Sequence, residues 1–280
     1  MSTPPSSVPN VALNDGHAMP QLGFGVWQVG SDEAIPAIAA ALEAGYRSID
    51  TAMIYGNEEG VGEALRASEL AREELFVTTK LWNPDQGRAA EALDESLARL
   101  GQESIDLYLI HWPTPKQDRY AEAWATMVEL QKAGKTRSIG VSNFTIDNLK
   151  RIIAETGVTP AVNQIELHPR LPQAELRAFH AEHGIVTESW SPLGQGKLTE
   201  DPTLVEIGRK YGKTAAQVIL RWHIELGLVA IPKSVTPSRI QENFDIFDFA
   251  LDAEDMAAIA KLETGERMGG NPETANYGVS

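Results

Sequence analysis

The stretch Gly45-Tyr46-Arg47-Ser48-Ile49-Asp50-Thr51-Ala52-Met53-Ile54-Tyr55-Gly56-Asn57-Glu58 decides how the chain folds. A glycine ends a helical run and leads into a short strand, Tyr46-Arg47-Ser48-Ile49-Asp50, whose last residue is an acid. Tyr55 follows in the loop. In a barrel of parallel strands, chemistry sits at the carboxyl ends of the strands and in the loops after them. An acid capping the next turn, beside an ordinary half-buried tyrosine, explains this one stretch equally well. The remainder of the chain has to decide between the two.

Upstream, Asp15-Gly16 lies between short apolar stretches, the signal of a hairpin with a two-residue type I′ turn. Residues 21–27 read as a glycine-laced strand. Residues 31–44 read as a helix capped by Ser31, with Ile35, Ile38, Ala39 and Leu42 along one face. Downstream the alternation is regular. Helix 59–67, strand 75–81, helix 88–100, strand 105–110, helix 120–133, strand 137–141 and helix 146–154 follow in turn. Strand 161–165, helix 173–183, strand 185–190, helices 204–211 and 215–225, strand 228–231 and helices 238–244 and 252–262 complete the series, with Gly134 and Gly184 as helix stops.

Strands separated by helices imply right-handed βαβ units and a parallel sheet. Counting the glycine-laced strand, eight strands follow the hairpin, which favours a closed (β/α)8 TIM barrel over an open doubly wound sheet. The expected α/β fold is therefore that barrel with an N-terminal β-hairpin and two extra C-terminal helices. No linker or repeat divides the chain, so residues 1–280 read as one domain. Residues 1–9 read as a flexible leader, and 264–280 as a Gly/Asn/Pro-rich tail over the barrel mouth.

Length and composition agree with one barrel: 280 residues, 42% hydrophobic and 22% charged. The net charge of −15 argues against nucleic acid and anionic membrane surfaces, although a local basic cluster can still hold an anion. No apolar run is long enough for a membrane span, and the Ser/Pro-rich start lacks the basic and apolar segments of a signal peptide. The absence of cysteine excludes disulfides and thiolate chemistry and is compatible with the cytoplasm. The six histidines show no metal-ligand spacing, so no metal is expected.

Familiar nucleotide motifs fail. Gly23-Phe24-Gly25 begins a dinucleotide fingerprint, but Gln28 stands where the third glycine belongs. Gly194-Gln195-Gly196-Lys197 lacks the earlier glycine of a P-loop, and Gly140-Val141-Ser142-Asn143-Phe144 lacks the closing glycine of a nucleophile elbow. What survives is a constellation. Asp50, Lys80, His111, Ser142 with Asn143, and Gln164 stand at successive strand ends, and Trp190 ends the seventh strand. In a barrel these ends converge on one mouth. A lysine closing the apolar run Phe76-Val77-Thr78-Thr79 is costly to bury alone, and Asp50 can satisfy it. If Tyr55 reaches Lys80, the ammonium favours the phenolate and lowers the tyrosine pKa, which suits a proton donor to a carbonyl oxygen. Taken singly, Lys80 as a snorkelling side chain, His111 as a structural histidine and Trp190 as core remain open. A second cluster, Lys233, Ser234, Thr236 and Arg239 at a helix start, offers positive charge and donors to a phosphate, or else a solvated turn with capping hydroxyls.

At these residues the chain resembles the aldo-keto reductase superfamily. Gly45 to Ala52, Arg137-Ser138-Ile139-Gly140-Val141-Ser142-Asn143-Phe144, and Ile231-Pro232-Lys233-Ser234 with Arg239, Glu242 and Asn243 carry its pattern in the right order. The likeness runs from about residue 11 to about 262. Within the superfamily, the stretches at Tyr55 to Gly62, Ala161 to Pro169 and Glu188 to Lys197 look most like bacterial 2,5-diketo-D-gluconic acid reductases.

The resemblance implies NADPH-dependent reduction of aldehydes or ketones, such as 2,5-diketogluconate or methylglyoxal. Tyr55 would be the proton donor, tuned by Lys80 and Asp50, and His111 would help hold the carbonyl. Ser142, Asn143 and Gln164 would bind the nicotinamide carboxamide, and Trp190 would stack on its ring. Ser191, Leu193, Gln195 and Gly196 would line the pyrophosphate path. Lys233, Ser234, Val235, Thr236 and Arg239 would hold the adenosine 2′-phosphate end, and Glu242 and Asn243 the adenine. Trp27, Trp82 and Trp112 are candidate walls of the substrate pocket. The short loop 112–120 and short tail suggest an open, less selective mouth. A small-molecule carbonyl is the expected partner of a monomer. Two rivals stay open: an NADPH-binding regulatory module without turnover, and a phosphate-binding lyase or isomerase with Lys80 forming a Schiff base.

Overall fold

The computed structural model describes residues 8–279. A hairpin of β1 (Asn10–Ala12) and β2 (Ala18–Pro20) precedes eight parallel strands. These are β3 (Phe24–Gly25), β4 (Ser48–Asp50), β5 (Phe76–Leu81), β6 (Ile105–Ile110), β7 (Thr136–Ser142), β8 (Val162–Glu166), β9 (Val186–Trp190) and β10 (Val229–Ala230). They pair in chain order from β3 to β10. A parallel bridge from Leu22 to Ala230 closes the ring, with Gly23 N donating to Ala230 O at 2.9 Å and Ala230 N to Gln21 O at 3.0 Å.

The helices are α1 (Ser31–Ala44), α2 (Glu58–Ala67), α3 (Ala89–Leu100), α4 (Tyr120–Lys132), α5 (Ile146–Thr156), α6 (Ala174–His183), α7 (Pro202–Tyr211), α8 (Ala215–Glu225), α9 (Pro237–Phe244) and α10 (Ala253–Ala260). Two of them, α7 and α8, stand between β9 and β10, and α9 and α10 follow the last strand. One apolar layer lies between helices and sheet, with Tyr46, Ile49, Tyr108 and Trp124 fully buried. A second lies inside the barrel, where Leu13 and Met19 pack with Phe76, Leu107, Val162 and Val229 and close the amino end. The carboxyl end is left polar.

Several local expectations change. The hairpin reverses over residues 13–17 instead of a two-residue I′ turn: Leu13 N donates to His17 O at 2.9 Å, and Gly16, not Asp15, takes the positive φ. The longer loop lets Leu13 turn down onto the barrel floor. Gly30, not Ser31, caps α1, and its N–H reaches Glu33 Oε2. The Ser31 hydroxyl instead accepts from Gly60 N at 3.1 Å, tying α1 to α2. The buried stripe of α1 is Ala34, Ala37, Ile38, Ala41 and Leu42, while Ala39 is exposed and Ile35 half-buried. Alanines fill it because α1 lies close against α2 and α9.

The strand expected at 21–27 shrinks to a two-residue ladder and one bridge. A Cβ at Gly23 would stand 3.0 Å from Ile231 Cγ2, and one at Gly25 3.2 Å from Ile231 O, so glycine makes the seam possible. Residues 1–7 of the expected leader lie outside the described residues. Val8 packs on the core, and Pro9 O accepts from Gln21 N at 2.8 Å. Among the described residues no helix is long and apolar enough to cross a membrane.

The tail crosses the carboxyl end of the barrel. Thr264 N and Gly265 N donate to Arg170 O. Farther on, Asn83 Nδ2 donates to Tyr277 O at 2.9 Å and Lys116 N to Asn276 Oδ1 at 2.8 Å.

Candidate active site

The strand ends bring six elements of the constellation together. Asp50 is the last residue of β4, Lys80 the last but one of β5, and both are buried. Lys80 Nζ donates to Asp50 Oδ1 at 2.5 Å and to Thr51 O at 2.8 Å, and lies 3.5 Å from the Tyr55 hydroxyl. Burial is the largest influence and works against the ammonium, but Asp50, Tyr55 and Glu188 together outweigh it and the lysine pKa rises.

The expectation of a lowered Tyr55 pKa is corrected. Burial of the phenol is the largest influence and raises it, and Lys80 pulls back only part of the way. The loop that carries Tyr55 is pinned by Asn57, which is fully buried. Its amide donates to Val26 O and Val29 O, both at 2.9 Å, and its carbonyl accepts from the Thr51 hydroxyl at 2.7 Å.

His111 follows β6. Its ring lies 5.8 Å from Tyr55 and 5.4 Å from Trp82 between centroids. Burial first, and the Lys80 charge second, hold it well below the usual imidazole pKa, so it is neutral at physiological pH. Nδ1 is buried without a partner among the described residues, which leaves Nε2 to meet a ligand oxygen.

Around the rim, Ser142 Oγ donates to Gln164 O at 2.8 Å, Asn143 Nδ2 to His111 O at 3.0 Å, and Trp190 Nε1 to Asn143 Oδ1 at 2.8 Å. Asn143, Ser191 and Gln195 all take positive φ, at 63°, 50° and 54°. Such strain in residues other than glycine gathers at functional sites. Ser191 and Leu193 are half-buried, and Gln195 and Gly196 are exposed in a short 3-10 turn.

At the far side of the rim, Lys233, Val235, Thr236 and Arg239 are exposed at the start of α9, and Ser234 Oγ accepts from Thr236 N at 3.1 Å. Neither Lys233 nor Arg239 is paired with an acid among the described residues. Two free cations and a helix start in a chain of net charge −15 suit a phosphate. Glu242 is not free to turn toward them: it accepts from the Thr214 hydroxyl at 2.8 Å on α8, and Asn243 is buried below. No group of acids and histidines suited to a metal occurs among the described residues.

Trp82 and Trp112 line the mouth, whereas Trp27 is exposed beyond β3 and meets neither ring. The mouth is narrower than the short loops implied, because the tail folds back into it. The Tyr277 ring lies 5.2 Å from Trp112, and a Cβ at Gly269 would come 2.3 Å from the Trp190 ring. Glu166, missed in the sequence, holds the tail there. Its buried carboxylate accepts from Met268 N at 2.5 Å, Gly269 N at 3.1 Å and His168 Nε2 at 3.2 Å. Burial opposes its charge, but these donors hold its pKa below the usual range. Glu188 was also missed. It is fully buried, and Gln164 Nε2 donates to it and to Asp50 Oδ2, both at 2.8 Å. Both acids share a strand face with a residue that was found, two positions away: Gln164 for Glu166, Trp190 for Glu188.

A hollow of about 500 Å3 at the other end of the barrel is lined by Arg47, Asp106 and Arg137 among others. Those three charges are already committed. Asp106 pairs with Arg72 and Arg137, and Arg47 Nη1 donates to Leu42 O and Tyr46 O.

The sequence profile of the Aldo/keto reductase family matches residues 21–264. The methylglyoxal reductase DkgA of Salmonella typhimurium is 57% identical over 265 residues, covering 94% of this chain and 96% of that protein. An aldo-keto reductase of Mycolicibacterium smegmatis is 54% identical over 271 residues, covering 96% of this chain and 98% of that protein. Among solved structures, an aldo/keto reductase from Brucella melitensis superposes with a TM-score of 0.89 at 57% identity, covering 92% of this chain and all of that one. A mutant of Gox0644 in complex with NADPH superposes with a TM-score of 0.93 at 48% identity, covering 96% of this chain and 99% of that one.

Proposed function

The chain belongs to the aldo/keto reductase family, and from that membership we propose that Tyr55, Lys80, Asp50 and His111 are its catalytic residues. The protein is an oxidoreductase that reduces aldehydes and ketones with NADPH. One observation carries the assignment of roles: a buried lysine held between Asp50 and the Tyr55 hydroxyl, with a neutral histidine on the other side.

NADPH supplies the hydride. Tyr55, kept protonated by its raised pKa, gives its proton to the carbonyl oxygen as that oxygen gains alkoxide character, because an alkoxide is far more basic than a phenolate. Lys80 stabilises the phenolate that remains, and Asp50 keeps the ammonium charged and in place. His111, neutral, offers Nε2–H to the same oxygen. Trp82, Trp112 and the tail keep water from the reacting atoms.

Ser142, Asn143 and Gln164 hold the nicotinamide carboxamide, and Trp190 stacks on the ring. Ser191, Leu193, Gln195 and Gly196 follow the pyrophosphate. Lys233, Ser234, Val235, Thr236 and Arg239 take the 2′-phosphate, and Asn243 lies nearer the adenine than Glu242, which Thr214 holds back. The chain works as one barrel unit with residues 264–280 over its mouth, as a cytoplasmic monomer. Sedimentation equilibrium and cell fractionation test the last two points. The reading of a regulatory module without turnover finds no support among relatives named as reductases.

Small dicarbonyls such as methylglyoxal head the proposed substrates, in keeping with the DkgA relatives and a mouth narrowed by Trp112 and Tyr277. Tyr55→Phe should lower kcat by about 10²–10⁴-fold while NADPH still quenches tryptophan fluorescence as in the parent. Retained turnover in that variant would remove Tyr55 as the donor. Arg239→Ala should weaken NADPH by about tenfold and NADH by much less. Equal losses for the two nucleotides would take the 2′-phosphate away from this cluster.

A further inference from the structure

The side-chain amide of Gln164 has two hydrogens on Nε2, and both are committed. One goes to Asp50 Oδ2 and the other to Glu188 Oε2, each at 2.8 Å. Among the described residues no donor reaches Gln164 Oε1, and it is not among the sealed-off atoms. Turning the amide over would set its carbonyl oxygen against the Asp50 carboxylate, which already holds Lys80.

Among the described residues Glu188 has no cation of its own, since Lys80 is taken by Asp50, and its Oε1 is buried without a partner. A carboxyl sealed in a barrel in this way costs stability, so a packing role does not account for it. Among the described residues the one hydrogen bond to its carboxyl comes from the Gln164 amide. Asn143 differs: its Nδ2 hydrogens go to His111 O and Ser142 Oγ, at 3.0 and 3.1 Å, and its Oδ1 accepts from Trp190 Nε1 at 2.8 Å, so Gln164 Oε1 is the amide acceptor left open.

We propose that Glu188 is a positioning residue for the nicotinamide: by taking the second hydrogen of Gln164 Nε2 it locks that amide, so that an acceptor, Oε1, faces the carboxamide of NADPH. The proposal rests on the seating of the nicotinamide at Ser142, Asn143 and Gln164. An open acceptor at that place welcomes an N–H2 and rejects a group of the same shape that lacks one.

The probe is the 3-acetylpyridine analogue of NADPH, whose acetyl group has no N–H to give. The full-length protein is titrated with each nucleotide by fluorescence, and the ratio of the two dissociation constants is read. The parent should bind the analogue at least about tenfold more weakly. Glu188→Leu leaves Asp50 as the only anchor of the Gln164 amide, so the freed N–H can swing toward the acetyl oxygen while the other stays on Asp50, and the ratio should fall by about threefold or more. Glu188→Gln keeps an acceptor oxygen against Gln164 and should hold the parent ratio within about twofold.

A purely structural role would weaken both nucleotides together and leave the ratio unmoved, which overturns the proposal. If Glu188→Leu does not fold, the parent protein decides: an analogue bound as tightly as NADPH overturns it. Gln164→Ala separates the two layers. NADPH affinity unchanged in that variant removes the seating and the proposal with it. Weakened NADPH there, beside an unmoved ratio in Glu188→Leu, overturns the role of Glu188 alone.

Discussion

Among the described residues Lys80 is the one cation at two buried carboxyls, Asp50 and Glu188, and it is bonded to only the first of them. Replacing it by methionine removes the charge and leaves Asp50 buried and unpaired. Breaking one partner of such a pair costs about 3–5 kcal/mol. Lys80→Met should therefore both unfold at lower denaturant and lose about 10²–10³-fold in kcat. Activity lost without any loss of stability would mean that water enters to solvate Asp50. The pair was legible in the sequence because an ionisable residue at the end of an apolar strand has to be explained. Glu188 was not, because in Val186-Thr187-Glu188-Ser189-Trp190 several polar residues alternate, and alternation alone does not say which face is inside. The direction of the Tyr55 shift was misjudged for a related reason. The charge of Lys80 is visible in a sequence, but the extent of phenol burial, which outweighs it, is not.

Among the elements, helices were placed to within a residue or two by their periodicity and glycine stops, and the long strands β5, β6 and β7 by their apolar runs. The seam strands β3 and β10 are two residues each and close the ring through three backbone bonds; the strand expected at 228–231 is there, shorter by one residue at each end, whereas that expected at 21–27 keeps only a two-residue ladder. Tight packing between elements also escaped. In α2, a Cβ at Gly60 would stand 2.4 Å from Ser31 O, and one at Gly62 2.3 Å from Leu100 O, so these glycines let α2 lie against its neighbours α1 and α3. Helix propensity alone predicts that Gly62→Ala stabilises the helix by about 1 kcal/mol. The contact is with backbone, which has nowhere to go, and overpacking costs about 1–3 kcal/mol. Overpacking should win, lowering the urea midpoint with an unchanged m-value. A raised midpoint would show that α2 can slide outward at little cost.

At the scale of the molecule, four buried groups set the pH response, and they oppose one another. His180 and His223 are held by burial down to about 3 and about 4, and His111 well below its usual value. Each stays neutral when folded but takes a proton when unfolded below about 6.5, so each contributes stability that is present above that pH and lost as the pH falls. Glu188 runs the other way. Burial, and then Asp50, push its carboxyl up to about 8. It stays protonated in the fold while the unfolded carboxyl ionises above about 4.3, so stability falls as the pH rises between those values.

Below pH 6.5 three histidine protons less one from Glu188 leave about two, or about 2.7 kcal/mol per pH unit lost on acidification. Above pH 6.5 Glu188 acts without them, and about 1.4 kcal/mol per unit is lost toward pH 8. Stability should thus peak near pH 6.5. Glu188→Gln should flatten the alkaline side and leave the acid side steeper. Urea denaturation of both proteins at pH 5, 6.5 and 8 checks this. The net charge of −15 adds self-repulsion on the alkaline side of both proteins alike, so the difference between them isolates the buried carboxyl. Equal alkaline slopes in the two proteins would mean that Glu188 ionises within the fold, paired through Gln164 with a second negative charge that Lys80 alone must balance.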